Sequence, residues 1–210
     1  MNQKSTDQAA RFWDRMAEKY YRDPIKDMES YEAKLAKTRA HMTPDSEILE
    51  FGCGTGGTAV LHAPHSRRIL ATDISGEMLA IAERRAAEAG VKNVEFRQGG
   101  LEDLDLQPGS FDMVLGMSIL HLLPDRRDAM ARVREALKPG GVFISSTVIL
   151  SGMWWLWPVL RIGRLFGAIP YVKFFTRRQF LASVEEAGFV IEENWRPNNG
   201  STVFLIARKA

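Results

Sequence analysis

Ile48-Leu49-Glu50-Phe51-Gly52-Cys53-Gly54-Thr55-Gly56-Gly57 is the stretch on which the reading of this 210-residue chain turns. Ile48 to Phe51 is a short run that passes straight into glycines, as a buried strand does when it feeds a tight turn. Glycines there let the backbone approach a ligand at the strand's carboxyl end. Gly52, Gly54 and Gly57 satisfy G-x-G-x-x-G, the dinucleotide pattern, which is weak when it stands alone. Glu50, two residues before the first glycine, directs a carboxylate at the loop. That charge opposes a diphosphate and favours a cation.

Outward from this loop, strands and helices alternate. Leu61 belongs to a short helix after the glycines; Arg68 to Thr72 reads as a second strand ending at Asp73. Gly76 to Gly90 reads as a helix with Met78, Leu79, Ala82 and Ala86 on one side and a glycine stop. Val94 to Arg97 and Phe111 to Gly116 read as the third and fourth strands. Asp125 to Leu137 reads as a helix closing at Lys138-Pro139-Gly140-Gly141, and Val142 to Val148 as a fifth strand rich in β-branched residues. Such repeats predict a parallel sheet covered on both faces, with right-handed crossovers. Phe189 to Trp195 and Thr202 to Ala207 then read as strands joined by Pro197-Asn198-Asn199-Gly200, where Asn-Gly signals a hairpin because both residues tolerate positive φ. The expectation is an α/β, Rossmann-like three-layer sandwich: a mostly parallel seven-stranded sheet, its last strand antiparallel, with an N-terminal helical leader.

The leader occupies residues 1–45 and the core residues 46–210. Within the leader, Phe12, Met16, Tyr20 and Leu35 are spaced helically among charges, and Asp23-Pro24 predicts a break between two helices. The net charge of +2 gives no strongly basic face, so nucleic acid is not an expected partner. The single cysteine, Cys53, precludes an intramolecular disulfide or a cysteine metal cluster. The four histidines, His41, His62, His65 and His121, have no zinc spacing. Residues 1–12 lack the apolar run of a secretory signal, and a reducing cytoplasm is the default expectation.

Several motifs in order carry a resemblance. Glu50-Phe51-Gly52-Cys53-Gly54-Thr55-Gly56 is followed by Thr72-Asp73-Ile74-Ser75 and by Gln98-Gly99-Gly100-Leu101-Glu102-Asp103-Leu104. Phe111-Asp112-Met113-Val114 then runs to Leu120-His121-Leu122-Leu123-Pro124-Asp125, and Leu137-Lys138-Pro139-Gly140-Gly141 closes the series. The chain resembles the class I S-adenosylmethionine-dependent methyltransferases, in the subgroup that includes the ubiquinone/menaquinone-biosynthesis type. The resemblance implies S-adenosylmethionine as cofactor. It implies that backbone from Phe51 and Gly52 through Cys53 and Gly54 lies against the methionine portion and ribose, with Glu50 beside the α-amino group. Asp73 is expected on the ribose, Ile74 and Met78 against the adenine or ribose edge, Gly100 and Leu101 along the adenine, and Met117 where the fourth strand's loop meets the cofactor. Phe12-Trp13-Asp14-Arg15-Met16-Ala17-Glu18-Lys19-Tyr20 is similar to the family's entry helix and implies a cofactor contact for Tyr20. One departure stands out: the family often carries an acid at the position of Gly100 to accept from the adenine amino group, and here that hydrogen bond either comes from elsewhere, with Glu102 the candidate, or is missing.

Methyl transfer needs positioning above all and a base only for some acceptors. His121, at the active-site edge of the sheet, has the intrinsic pKa of a general base; Asp112 reads as a structural strand residue. Residues 151–175 form a Trp-rich insertion with Trp154, Trp155 and Trp157, and from Ser151 to Phe180 every charge is basic. Pro158 and the preceding strand argue against a transmembrane helix. The insertion suits a pocket lid over a small hydrophobic acceptor, with peripheral membrane contact or a homodimer through Trp154–Trp157 as alternatives. Two rival readings are a nicotinamide-dependent oxidoreductase and a catalytically silent, methyltransferase-like binding module.

Overall fold

The computed structural model describes residues 3–149 and 171–210. Helix α1 (Gln3–Arg22) carries Lys19 and Arg22 in its last turn, where cations complement the helix dipole, and it stops before Asp23-Pro24. Helix α2 (Met28–Arg39) starts at Asp27, whose side chain accepts from the Ser30 amide at 3.0 Å. Strand β1 (Glu47–Phe51) leads through the glycines into α3 (Gly57–His62). Then follow β2 (Arg68–Asp73), α4 (Gly76–Glu88), β3 (Val94–Gln98) and β4 (Phe111–Met117). Helix α5 (Arg126–Ala136), capped by Asp125, runs into β5 (Leu137–Val148). Helix α6 (Arg177–Glu186), capped reciprocally by Thr176 and Gln179, precedes β6 (Phe189–Trp195) and β7 (Thr202–Lys209).

The seven strands lie in the order β3-β2-β1-β4-β5-β7-β6, with β1 to β5 parallel and β7 antiparallel to both neighbours, as expected for an α/β, Rossmann-like sheet. Alternation along the strands splits the core in two. Leu49, Phe51, Val114, Phe143 and Leu205 face one side, where Met130 and Val133 of α5 and Phe180 and Val184 of α6 close it. Ile48, Met113, Leu115, Ile144 and Phe204 face the other, with Ala59 of α3 and Leu79 of α4. Glu50 pairs in register with Ala71 and Leu115, so the same alternation turns it toward α3, α4 and the leader. A slip of one residue would exchange Glu50 for Leu49 and put the carboxylate into the opposite core.

The order reverses at β1: the chain moves outward to β2 and β3, then returns to β4 on the other side. Loops leaving β1 and β4 therefore diverge and open a crevice at their carboxyl ends, where open α/β sheets bind ligands. The leader is tied down over this edge. Lys37 of α2 pairs with Glu193 of β6 at 2.6 Å and stands over the Trp195 ring, while the Arg39 guanidinium donates to the Leu61 carbonyl at 3.2 Å.

One local expectation is corrected, and the expected closing hairpin forms with a turn of its own kind. Lys138-Pro139-Gly140-Gly141 does not precede the fifth strand but lies within its span: β5 pairs at Phe111↔Leu137, shifts register, and resumes at Met113↔Val142. The reason is Asp112, which accepts from Lys138 Nζ at 2.8 Å and from the Glu47 amide at 2.9 Å and so holds the outward loop against β4. The closing turn is a 3-10 turn, Pro197–Asn199, in which Asn198 takes positive φ (47°) while Gly200 does not (−69°). The Asn198 side chain donates to Asp27 Oδ2 at 2.8 Å, so a tertiary contact with α2 sets the conformation in place of the local Asn-Gly preference. The Trp-rich insertion falls almost wholly outside the described residues, and among the described residues no helix is long and apolar enough to cross a membrane.

Gly116 of β4 is tightly packed beside the crevice: a Cβ there would stand 2.7 Å from Phe51 Cζ, and Phe51 is itself buried. Overpacking of this kind costs about 1–3 kcal/mol. Gly116→Ala should therefore lower the urea midpoint by the equivalent of that loss without changing the slope of the transition.

Candidate cofactor site

A cavity of about 480 Å³ opens at the β1/β4 reversal. Its floor is the glycine loop with Glu50, and Met117, Ser118 and Ser146 form one wall. Tyr20, Tyr21, Ile25, Tyr31, Lys34 and Leu35 of the leader form the roof. The loop adopts a shape that only glycine accepts easily: Gly52, Gly54 and Gly56 have φ of 64°, 54° and 71°. A side chain at Gly52 would also collide with Ile119, 2.6 Å away, so the backbone is exposed to the cavity by necessity.

Glu50 is the electrostatic centre. It is 1% exposed, and its Oε2 has no hydrogen-bond partner. Burial, with a further push from the Asp73 charge, raises its pKa to about 8. A buried carboxylate with an unsatisfied oxygen is costly unless something pairs with it. Asp73 ends β2 and is held by the backbone: Oδ2 accepts from the Gly54 amide and Oδ1 from the Ser75 amide, both at 2.9 Å. Each carboxylate oxygen keeps a lone pair free for a further donor. Burial raises the Asp73 pKa, the backbone amides oppose that rise, and the Asp14 charge adds to it. Tyr20 stands at the mouth, 53% exposed, with its Cε1 3.9 Å from the point where a Gly54 Cβ would lie. Its phenol pKa is raised by burial and then by the Asp73 and Glu50 charges. The Cys53 thiol is buried and its pKa raised well above the usual value by burial and by the same two carboxylates, so it is inert.

Of the residues singled out in the sequence, Tyr20, Glu50, Gly52, Cys53, Gly54 and Met117 come together around this cavity. Asp73 touches it through Gly54. Phe51, Leu101 and Met78 are packed inward: Phe51 and Leu101 in the core with Leu120 and Met130, Met78 against Ala17, Ile81 and Trp13. Ile74 lies between Asp73 and the α4 cap, and its carbonyl accepts from Gln98 Nε2 at 3.1 Å. Gly100 begins a short 3-10 turn, its amide held by Asp103 Oδ2 at 2.9 Å, and Glu102 Oε2 lies 2.7 Å from where a Gly100 Cβ would be. The Glu102 carboxylate thus occupies the space that an acidic side chain at position 100 would fill. His121 lies in the 3-10 turn Leu120–Leu122 and does not line the cavity. Burial lowers its pKa to about 4, and its Nδ1 has no partner.

Residues of the leader complete the site in a way the sequence did not reveal. Lys34 lines the cavity half-buried, and burial lowers its pKa although Asp27 partly opposes this. Tyr31 hydrogen-bonds with Thr58, and Arg85 Nη1 donates to Thr55 Oγ1 at 3.2 Å. Nothing in the sequence separates Lys34 from Lys37, three residues on; only the docking of α2 turns one to the cavity and the other to Glu193. The cavity therefore holds an unpartnered acid on its floor and cations from α2 and α4. Among the described residues no group of histidine, cysteine and acidic side chains could hold a metal ion.

Comparison with known proteins agrees with this geometry. A family described as a methyltransferase domain matches residues 48–141. An uncharacterized methyltransferase, YcgJ, of Bacillus subtilis is 32% identical over 124 residues, covering 59% of this chain and 49% of that protein, so the chain matches about half the length of this relative. A ubiquinone biosynthesis O-methyltransferase of Acinetobacter baumannii is 26% identical over 191 residues, covering 88% of this chain and 79% of the relative. The crystal structure of YcgJ superposes with a TM-score of 0.70 at 19% identity, over 85% of this chain and 98% of that one, and shares the fold. The order of strands, the glycine loop with Glu50 beneath it and the family match lead to one conclusion: residues 48–141 carry a methyltransferase domain on a Rossmann-like sheet.

Proposed function

We propose that this protein transfers the methyl group of S-adenosylmethionine to a small hydrophobic acceptor. The observation that carries the reading is the cavity that Glu50, Lys34 and the glycine loop line together. An amino-acid zwitterion presents an ammonium and a carboxylate, and this arrangement offers a partner for each. At an effective dielectric of 20, unit charges about 4 Å apart interact by about 4 kcal/mol. That favours an ammonium beside Glu50, whereas a diphosphate there would leave Glu50 protonated and gain nothing from it, so the charge pattern favours the zwitterion over a nicotinamide dinucleotide.

When bound, S-adenosylmethionine supplies an electrophilic methyl on a sulfonium. The chain's own residues bind and orient. Gly52 and Gly54 expose backbone to the methionine portion, Asp73 accepts from the ribose hydroxyls, and Ile74 with Gly100 and Leu101 flanks the adenine. Glu50 takes the α-amino group and Lys34 the carboxylate. Met117 and Tyr20 enclose the sulfonium side and exclude water. Positioning of this kind can contribute about 7–11 kcal/mol. For an acceptor that must lose a proton, His121 is the proposed base. Its imidazole is neutral above about pH 4, so kcat should show no inflection from this group between pH 5 and 8. His121→Gln should reduce turnover of such an acceptor roughly 10²-fold or more while the cofactor Kd stays within about twofold.

Glu50 makes cofactor binding depend on pH. Its pKa of about 8 in the free protein means that it is protonated at neutral pH. The free protein accordingly gains stability from this group at low pH and loses it as pH rises through about 8. An ammonium brought alongside favours the ionised form, so binding near pH 7 releases a proton and affinity rises with pH. Above about pH 8 the ligand's own ammonium titrates, so affinity should peak near that value. Calorimetry in buffers of different ionisation enthalpy should count the released proton. Glu50→Gln should abolish it and weaken binding about tenfold or more; unchanged affinity and proton count would remove the basis of the reading.

The acceptor is read from two features: the aromatic residues of 151–175 and the relative whose name concerns ubiquinone biosynthesis. Both support a quinol precursor, lipid or aromatic metabolite. Incubation with methyl-labelled S-adenosylmethionine and a cell extract should place label in the organic-soluble fraction. Label confined to polar products or protein would refute the hydrophobic acceptor and leave the methyl transfer intact.

A further inference from the structure

Helix α1 lies across the cofactor groove with one face inward. Trp13, Asp14, Ala17, Tyr20 and Tyr21 recur at the spacing that brings residues to one side of a helix. Trp13 and Ala17 pack on Met78 and Ile81 of α4. The Tyr21 ring lies 5.3 Å and 5.5 Å from the guanidinium carbons of Arg84 and Arg85, and Tyr20 overhangs Gly54. Asp14 is the one acid in that set, and its charge is directed at the protein. Its Oδ1 accepts from Ser75 Oγ at 2.6 Å and stands 3.3 Å from the Glu77 amide.

Ser75 is fully buried and joined to the ribose carboxylate. Its Oγ caps α4 by accepting from the Met78 amide at 3.2 Å, and its own amide donates to Asp73 Oδ1. Asp73 Oδ2 in turn takes the Gly54 amide. A single line of hydrogen bonds thus runs from α1 through Ser75 and Asp73 to the glycine loop. Asp14 and Tyr20 are six residues apart, about 9 Å along a helix. One rigid element therefore meets the adenosine half of the groove at one point and the methionine half at another.

We propose that α1 is a strap over the cofactor groove and that Asp14 is a positioning residue, tying the strap to Asp73 through Ser75. The inference rests on S-adenosylmethionine as the ligand of this groove. The cofactor enters beneath a raised α1, and closure re-forms the Asp14–Ser75 bond, steadies Asp73 and brings Tyr20 over the loop. Entry and release both require that bond to break, and the dissociation rate of the bound cofactor is where the loss of Asp14 is read directly.

The test is the dissociation rate of S-adenosylmethionine from the full chain. Asp14→Ala should raise it about tenfold, whereas Asp14→Asn, which keeps an oxygen for Ser75 Oγ, should stay within about twofold. In an Asp73→Asn background, Asp14→Ala should add less than twofold, because the two act along one line. Amide hydrogen exchange over residues 10–20 should slow on adding the cofactor in the wild type and in Asp14→Asn, and not in Asp14→Ala. A wild-type dissociation rate in Asp14→Ala, a full tenfold effect retained without Asp73, or exchange in α1 indifferent to cofactor would each overturn the strap. Failure of the wild type to bind S-adenosylmethionine at all would instead bring down the underlying reading, and the strap with it.

Discussion

A carboxylate set into an apolar face at the centre of a parallel sheet is the constraint around which the rest of this molecule is arranged. Glu50 shares its side of β1 with Ile48, in a core built otherwise from Met113, Leu115, Ile144 and Phe204. Leaving a buried acid without a partner opposes folding, and the protein meets that cost by keeping it protonated in the free state. The cavity above exists because the sheet reverses direction at β1 and because the glycines leave no side chains to fill it. Fold and site are the same feature seen at two scales: the reversal makes the space, and Glu50 decides the charge of what enters.

The second acid plays a different part. Asp73 is also buried, but backbone amides from Gly54 and Ser75 hold it, which fixes its direction and partly offsets the burial. Two neighbouring carboxylates, of which Asp73 raises the proton affinity of Glu50, thus have separate tasks. One is rigid and pre-oriented for hydroxyl donors; the other is unpartnered and waits for a positive charge. The leader contributes the counter-charge through Lys34 and the cover through Tyr20, so the binding groove is incomplete without the first two helices.

Interactions far from the cavity serve the same end. Asp112 joins β1, β4 and the loop within β5 through the Glu47 amide and Lys138, and so holds in register the two strands whose ends frame the crevice. Asn198 reaches from the β6–β7 turn to the cap of α2, linking the last hairpin to the helix that carries Lys34. The antiparallel hairpin therefore closes the sheet and steadies the roof of the site.

The sequence by itself determined the sheet, its antiparallel end, the glycine loop and the identity of Glu50 and Asp73 as the principal acids. Strand alternation, helix stops and glycines at a strand's end act over a few residues, and their signals survive without any knowledge of packing. The leader's resemblance to the family's entry helix also pointed to Tyr20, which the structure brings to the cavity. Only the tertiary structure decided which leader residues face the cavity. Lys34 and Lys37 are chemically equivalent in the chain and part only when α2 docks. The same holds for the strained turn at Asn198 and for the position of His121 away from the cavity lining, because each depends on contacts between residues far apart in sequence.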